Sequence, residues 1–338
     1  MIRPEGRFFS ADPGNPSIVR CVLCPHRCVL KTGIFGLCHV RQGSNGSIAL
    51  PYFGKISSIS IDPIEKKPLY HFRPGSSIFS VGFIGCNLHC PFCQNWEISQ
   101  RTDIDFRELT PTELVELAAR SGSGAIAYTY SEPLVHVEYL LEAMAEAKKR
   151  HLANVLVSNG CILEEPARAV LALADAANID LKSFKSDTYR RQLGGDLDRV
   201  CEFIKLAHEM DVHLEITTLI VTGINDTVKE AEGIVEFISS ISPDIPWHLS
   251  AYHPAYQWRE AATKSSLLFQ IKNMVRGRLR YVYIGNVWGE ENETLCPYCG
   301  HILIDRSGYH IETPHLEFNS ETKSYFCTHC GKPASIAY

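Results

Sequence analysis

The segment Gly85-Cys86-Asn87-Leu88-His89-Cys90-Pro91-Phe92-Cys93 places three cysteines within eight residues. A Cx3CxxC spacing lets three thiolates reach one compact centre from a single loop, and soft thiolate ligation suits zinc, copper or an iron–sulfur cluster. A structural zinc wants a fourth protein ligand. His89 is the nearest candidate, but it stands between two ligands, where the loop would have to fold back tightly. The alternative is a [4Fe–4S] cube with three irons held by protein and one left open; an open coordination position marks a catalytic rather than a structural metal site.

Two further cysteine sets flank this one: Cys21, Cys24, Cys28 and Cys38 before it, and Cys296, Cys299, Cys327 and Cys330 near the end. The later set has two knuckles, CPYCG and CTHCG, with a β-rich stretch between them. That is zinc-ribbon spacing, and zinc is expected there over iron. The earlier set is less regular. Zinc and a second iron–sulfur cluster both remain open for it, and its role could be purely structural in a lobe with little core. Cys161 and Cys201 stand alone in apolar or helical surroundings and read as buried structural thiols.

Such residues need elements to position them. Apolar runs at Ile78–Phe83, Ala125–Tyr128, Asn154–Val157, Ala177–Leu181, His213–Ile220, Trp247–Tyr252 and Arg280–Ile284 read as strands alternating with helical stretches, the pattern of β/α units around a parallel sheet. Thr110-Pro111-Thr112-Glu113 opens a helix as a capping box with proline at its first position. Helices are also expected over Leu134–Arg150 and Asp226–Ser239. The fold class is therefore α/β, a full or partial (β/α) barrel, with its chemistry at the C-terminal ends of the strands. Residues just past successive strands are Cys86, Cys90 and Cys93, then Thr129-Tyr130-Ser131-Glu132-Pro133, then Ser158-Asn159-Gly160, then Lys182 after Asp180, then His253-Pro254. Five strand ends with polar or metal-binding residues are expected to line one funnel.

The 338 residues divide by composition into a Cys-rich N-terminal lobe (1–75), the barrel (76–290) and a zinc-ribbon-like C-terminal module (291–338). Short β-like runs at Ser47–Leu50 and Ile56–Ile61 belong to the first lobe. A net charge of −5 gives no electrostatic reason to expect a nucleic-acid or anionic-membrane partner. There is no signal-peptide-like start and no apolar run of spanning length, so a cytoplasmic location is expected. Thirteen cysteines, mostly in CxxC-type clusters, argue for metal sites in a reducing compartment.

Cys86, Cys90, Phe92 and Cys93 match in full the Cx3CxΦC motif, Φ being aromatic, and the chain resembles the radical S-adenosylmethionine (SAM) enzymes. The resemblance implies that SAM chelates the open iron through its amino nitrogen and carboxylate. One electron, from a donor of flavodoxin or ferredoxin type, would then yield methionine and a 5′-deoxyadenosyl radical that takes hydrogen from a substrate. Matched to the branch containing pyruvate formate-lyase activating enzyme, Cys93-Gln94-Asn95 resembles a CHN motif and Glu132-Pro133 a GGEP motif that holds the SAM amino group, with Tyr130 and Ser131 replacing its glycines. Asp180-Leu181-Lys182 resembles DLK, Tyr252-His253 a YH near the adenosyl portion, and Asn159-Gly160 a DTNG-like turn in which Val157 lacks the acidic group. Phe92, Asn95, Tyr130, Ser131, Glu132, Asn159, Asp180, Lys182 and His253 are thus implied cofactor contacts.

The flanks, CxLCPxxC from Cys21, DPIEKKPLYHF from Asp62 and GCNLHCPFCQNWEISQ from Gly85, resemble the radical SAM protein of the AmmeMemoRadiSam system. That resemblance implies Memo-type and AMMECR-type proteins as partners and leaves the substrate unnamed. Asp62-Pro63-Ile64-Glu65-Lys66-Lys67-Pro68 is either a solvated loop or places Lys66 or Lys67 at the barrel mouth. Two other functions stand beside the leading one: a glycyl-radical-enzyme activating enzyme, and a metal-binding interaction module without catalysis.

Overall fold

The computed structural model describes residues 4–289, 292–306 and 311–337. The expected boundary between residues 290 and 291 lies outside the described residues. Seven strands run parallel in chain order: β2 (Ser77–Gly82), β3 (Ala125–Thr129), β4 (Ala153–Ser158), β5 (Ala176–Asp180), β6 (His213–Ile220), β7 (Trp247–Ala251) and β8 (Val282–Gly285). An eighth strand, β1 (Ser58–Pro63), pairs antiparallel with β2 at the edge. Residues Ser58–Ile61, read from sequence as part of the Cys-rich lobe, therefore belong to the central sheet. Every residue of Ala125–Thr129 is buried, as expected when helices cover a parallel strand and its interior face is filled.

The helices explain themselves locally. In α1 (Pro111–Arg120), Thr110 Oγ1 accepts from Glu113 N at 3.2 Å and Glu113 Oε2 accepts from Thr110 N at 2.8 Å, closing the capping box. The expected Leu134–Arg150 helix splits. Pro133–His136 is a 3-10 turn, and α2 (Val137–Lys149) follows because His136, at φ −104°, leaves helical geometry. Leu140, Ala143, Met144 and Ala147 of α2 are buried against the core; a leucine or methionine so buried contributes roughly 2–3 kcal/mol. The helix Val228–Ile241 starts two residues later than the spacing suggests, since Thr227 accepts from Glu230 N and so caps it.

The chain before β1 forms the sheet Phe9–Asp12, Asn15–Cys21, Val29–Leu30 and the hairpin Gln42–Ser44/Ser47–Ala49. A buried ion pair ties it to α2: Arg41 Nη1 donates to both Glu138 carboxylate oxygens at 2.8 Å, with side chains 1% and 4% exposed. The C-terminal segment has its own small strands, Thr294–Leu295, Ile302–Ile304, Leu316–Asn319, Ser324–Cys327 and Pro333–Ala334. It is fastened near the N-terminal ends of the parallel strands: His71 accepts at its backbone oxygen from Ala337 N, and Arg306 Nη2 donates to Tyr70 O. Beneath them lies Glu215 of β6. Its carboxylate accepts from the backbone N–H of Tyr70 and His71 and pairs with His213 and His248, at 2.7–3.1 Å.

Candidate active site

At the opposite, C-terminal ends of the strands, residues in or just past the ends of β2 through β8 line one cavity of about 350 Å³. Its walls include Cys86, Cys90 and Cys93, Glu132, Asn159, Asp180 and Lys182, with Phe92, Asn95, Tyr130 and Ser131 beside them. The sheet must curve to bring strand ends this far apart in sequence onto one space.

The cysteine loop is anchored on both flanks. Gly85 adopts φ +88°, and a Cβ there would fall 2.5 Å from the Cys38 carbonyl oxygen, so only glycine lets the N-terminal loop pack onto the cysteine loop. Leu88 N donates to Cys86 Sγ at 3.3 Å and Asn159 Nδ2 to the same sulfur at 3.7 Å, while Ser99 Oγ lies 3.4 Å from Cys93 Sγ. Burial, with Glu132 nearby, raises the Cys86 thiol well above its ordinary value, and burial pushes Cys90 up to about 12 against the pull of Lys182. His89 is turned away to Gln100, whose side-chain oxygen it meets at 2.8 Å.

Glu132 caps the turn Pro133–His136, accepting from Leu134 N, and also accepts from Ser158 Oγ at 2.6 Å and Asn159 N at 2.8 Å. Burial still pushes its carboxyl up to about 7. A carboxylate has about four acceptor positions, so three bonds leave room for one cationic donor from the cavity. Lys182 Nζ pairs with Asp180 Oδ2 at 2.8 Å. Burial opposes the lysine charge, but Asp180 and Cys90 outweigh it and raise the pKa. Capping and ion pairing therefore coexist with a place on the cavity wall.

Tyr130 holds φ +69°, the left-handed region suited to glycine, and its carbonyl accepts from Asn95 Nδ2 at 2.7 Å. Its hydroxyl donates to Asp62 Oδ2 at 2.7 Å, the same oxygen that takes Lys67 Nζ at 2.7 Å. Lys67 is 3% exposed and lines the cavity; Lys66 lines it from the solvent side. The DPIEKKP stretch is thus built into the wall. His253 is exposed and lines a neighbouring cavity of about 670 Å³ with Trp288, Ser265 and Val287; Gln94 and Asn286 border both spaces. Gln100, Thr217, Ser250 and Asn286 line the cysteine cavity without having been singled out from sequence. Gln100 closes the GCNLHCPFCQNWEISQ stretch without a chemical role of its own there, Asn286 lies in a loop with no motif signal, and Thr217 and Ser250 are small residues inside strands.

The cysteine sets differ in geometry. Cys296 and Cys330 sulfurs lie 3.7 Å apart, as do those of Cys299 and Cys327, and the four gather within 4.8 Å of one another. A tetrahedron of sulfurs about 2.3 Å from one ion has edges of roughly 3.8 Å, so these residues fit a single metal ion. Among the described residues no other set of three or more potential ligands is drawn together this closely. Cys86, Cys90 and Cys93 line one cavity from a single loop, and three thiolates so placed suit a multi-iron centre. Cys161 is fully buried and Cys201 half-buried, consistent with packing roles.

The model of the family described as the radical SAM superfamily matches residues 81–238. An uncharacterized protein of Methanocaldococcus jannaschii is 39% identical over 338 residues, covering 98% of this chain and 99% of that protein. The pyruvate formate-lyase-activating enzyme of Staphylococcus epidermidis is 22% identical over 207 residues, covering 56% of this chain and 79% of its own. A solved domain of pyruvate-formate lyase-activating enzyme from Bacteroides vulgatus overlays with TM-score 0.43 at 21% identity, covering 48% of this chain and 100% of that one.

Proposed function

Because the chain belongs to the radical SAM superfamily, we propose that its curved sheet is a partial (β/α) barrel whose Cys86, Cys90 and Cys93 hold a [4Fe–4S] cluster with one iron open to SAM. The observation that carries this reading is the convergence of three thiols, Glu132 and the Asp180–Lys182 pair on one cavity. When loaded, such a centre supplies the single electron that splits the sulfonium bond of SAM, and the radical released takes hydrogen from a substrate. The chain's own residues bind and orient. Glu132 offers its remaining acceptor position to the SAM ammonium, and Asp180 and Lys182 offer opposite charges to its polar ends. Phe92, which is buried, and the Tyr130–Asp62–Lys67 wall exclude water from the reacting face.

The N-terminal and central motifs support the AmmeMemoRadiSam branch with Memo-type and AMMECR-type partners; the radical chemistry calls for a flavodoxin- or ferredoxin-type electron donor, and the clustered free cysteines support a cytoplasmic setting. The ion gathered by Cys296, Cys299, Cys327 and Cys330 is zinc, a structural staple of the C-terminal module. A glycyl-radical-activase reading draws on the activating enzymes among the relatives. It is separated by the hydrogen source, a partner enzyme's glycine in one case and a small molecule in the other. Anaerobic reconstitution with iron, sulfide, SAM and dithionite is expected to give 5′-deoxyadenosine. Loss of that product in Cys86→Ala supports the assignment, and its persistence there refutes it.

A further inference from the structure

The four N-terminal cysteines have a defined setting. Cys21 N donates to Cys28 O across adjoining strands at 2.9 Å, and Cys24 lies in the turn between them. Cys28 Sγ would lie 3.5 Å from a Cβ at Gly36, which opens the tight turn Gly36–Arg41 that carries Cys38. Cys21, Cys24 and Cys38 are buried and Cys28 is half-buried. Electrostatic contact links Cys21 with Cys28 and Cys24 with both Cys21 and Cys38. Four cysteines gathered in one lobe supply the four thiolates that hold a cube of iron and sulfide.

A second observation points to an anionic ligand. Arg41 is 1% exposed; its Nη1 is used by Glu138 and its Nη2 by the Arg7 carbonyl. Its buried Nε meets no acceptor among the described residues. The guanidinium also lies against the Cys21 thiol and within electrostatic reach of Cys38. A spare N–H on a buried guanidinium beside the thiols is a donor that a cluster with sulfide acceptors takes up.

The set also touches the catalytic loop at two points. The Cys38 carbonyl packs onto Gly85, the residue before Cys86, and His26, two residues after Cys24, donates from Nε2 to the Asn87 carbonyl, one residue after Cys86, at 2.8 Å. We infer that Cys21, Cys24, Cys28 and Cys38 hold a second iron–sulfur cluster, which relays one electron to the centre on Cys86, Cys90 and Cys93 through the Cys38–Gly85 and His26–Asn87 contacts. The relay rests on the function proposed above; the second site itself does not. One electron from a donor of the flavodoxin or ferredoxin class reduces the N-terminal cluster. Its transfer reoxidises that cluster and reduces the SAM-binding centre, so no further oxidant or reductant is needed.

The test uses full-length chains reconstituted anaerobically, with iron and sulfide counted and the reduced spectra recorded by low-temperature EPR. The wild type is expected to carry about eight irons, and Cys86→Ala/Cys90→Ala/Cys93→Ala about four with an intact [4Fe–4S] signal. Cys24→Ala/Cys28→Ala, or the milder Cys28→Ser should the double variant misfold, is expected to keep the other cluster. That cluster remains reducible by dithionite, and its reduction by flavodoxin is lost. No iron in the triple variant, or a second zinc beyond the one assigned to Cys296, Cys299, Cys327 and Cys330, would overturn the second cluster, and undiminished reduction by flavodoxin in the Cys24/Cys28 variant would overturn the relay. If instead the Cys24/Cys28 variant held no iron while the triple variant kept its four, the relay and the proposed function would fall together and the second site would stand.

Discussion

Replacing Glu138 by glutamine removes the carboxylate that faces Arg41 in the hydrogen bonds between the N-terminal lobe and α2. The wild-type carboxylate takes three bonds: two from Arg41 Nη1 at 2.8 Å and one from Arg7 N at 2.6 Å. With both side chains almost fully buried, water cannot replace the lost charge. Stranding one partner of such a pair costs about 3–5 kcal/mol, and glutamine, which keeps one acceptor oxygen and the shape, belongs at the low end. Glu138→Gln is therefore expected to lower unfolding stability by about 3 kcal/mol, roughly two decades in the folding equilibrium. Urea denaturation followed by circular dichroism reads this from the midpoint at constant slope. Arg41→Met/Glu138→Leu, which removes both charges and fills the volume, is expected to recover most of the loss. A single variant within about 0.5 kcal/mol of wild type would refute the claim that this pair fastens the lobe.

Three other outcomes follow from the same geometry. Burial holds His71 down to about 3 and His136 down to about 4, so both stay neutral in the fold while an unfolded histidine protonates near 6.5. The stability they confer is full above 6.5 and lost as pH falls towards 4, whereas Glu132, pushed up to about 7, works in the opposite sense. Two histidines against one carboxyl leave these three groups with a net loss of stability as pH falls from 6 to 5, read by urea unfolding; a flat profile contradicts it. Glu132→Gln is expected to weaken SAM binding about ten- to hundredfold in equilibrium dialysis of the reconstituted chain, with iron content unchanged, and unaltered affinity would remove Glu132 from the cofactor site. Cys296→Ser is expected to lose the zinc proposed for the C-terminal module in elemental analysis and lower the unfolding midpoint; stoichiometric zinc retained by that variant would refute the four-cysteine site.

The strand order and the cavity-facing strand ends were legible because buried parallel strands are short apolar runs and their C-terminal loops carry polar residues in sequence order. The helix at Thr110 was legible because a capping box is a four-residue signal. What sequence hid was non-local. The alternation in Ser58–Ile61 marks a strand but not its partner, and pairing with β2 moved it from the lobe to the central sheet. Charges in DPIEKKP read equally well as solvent-facing until Tyr130, 63 positions from Lys67, supplies its hydroxyl and ring. Arg41 and Glu138, 97 positions apart, leave no mark in either local sequence. His253 sits where its motif predicts along the chain, yet the turn after β7 exposes it on the adjoining cavity.

The central claim is that the place left vacant by Cys86, Cys90 and Cys93 belongs to SAM. Electron–nuclear double resonance on the reduced chain with SAM labelled at the amino nitrogen and carboxylate oxygen tests this directly, with Cys21→Ala/Cys24→Ala/Cys28→Ala/Cys38→Ala as background to isolate one cluster. The account requires hyperfine coupling from both labels to the cluster spin. An iron–sulfur signal that SAM leaves unchanged, with no coupling from either label, would contradict it.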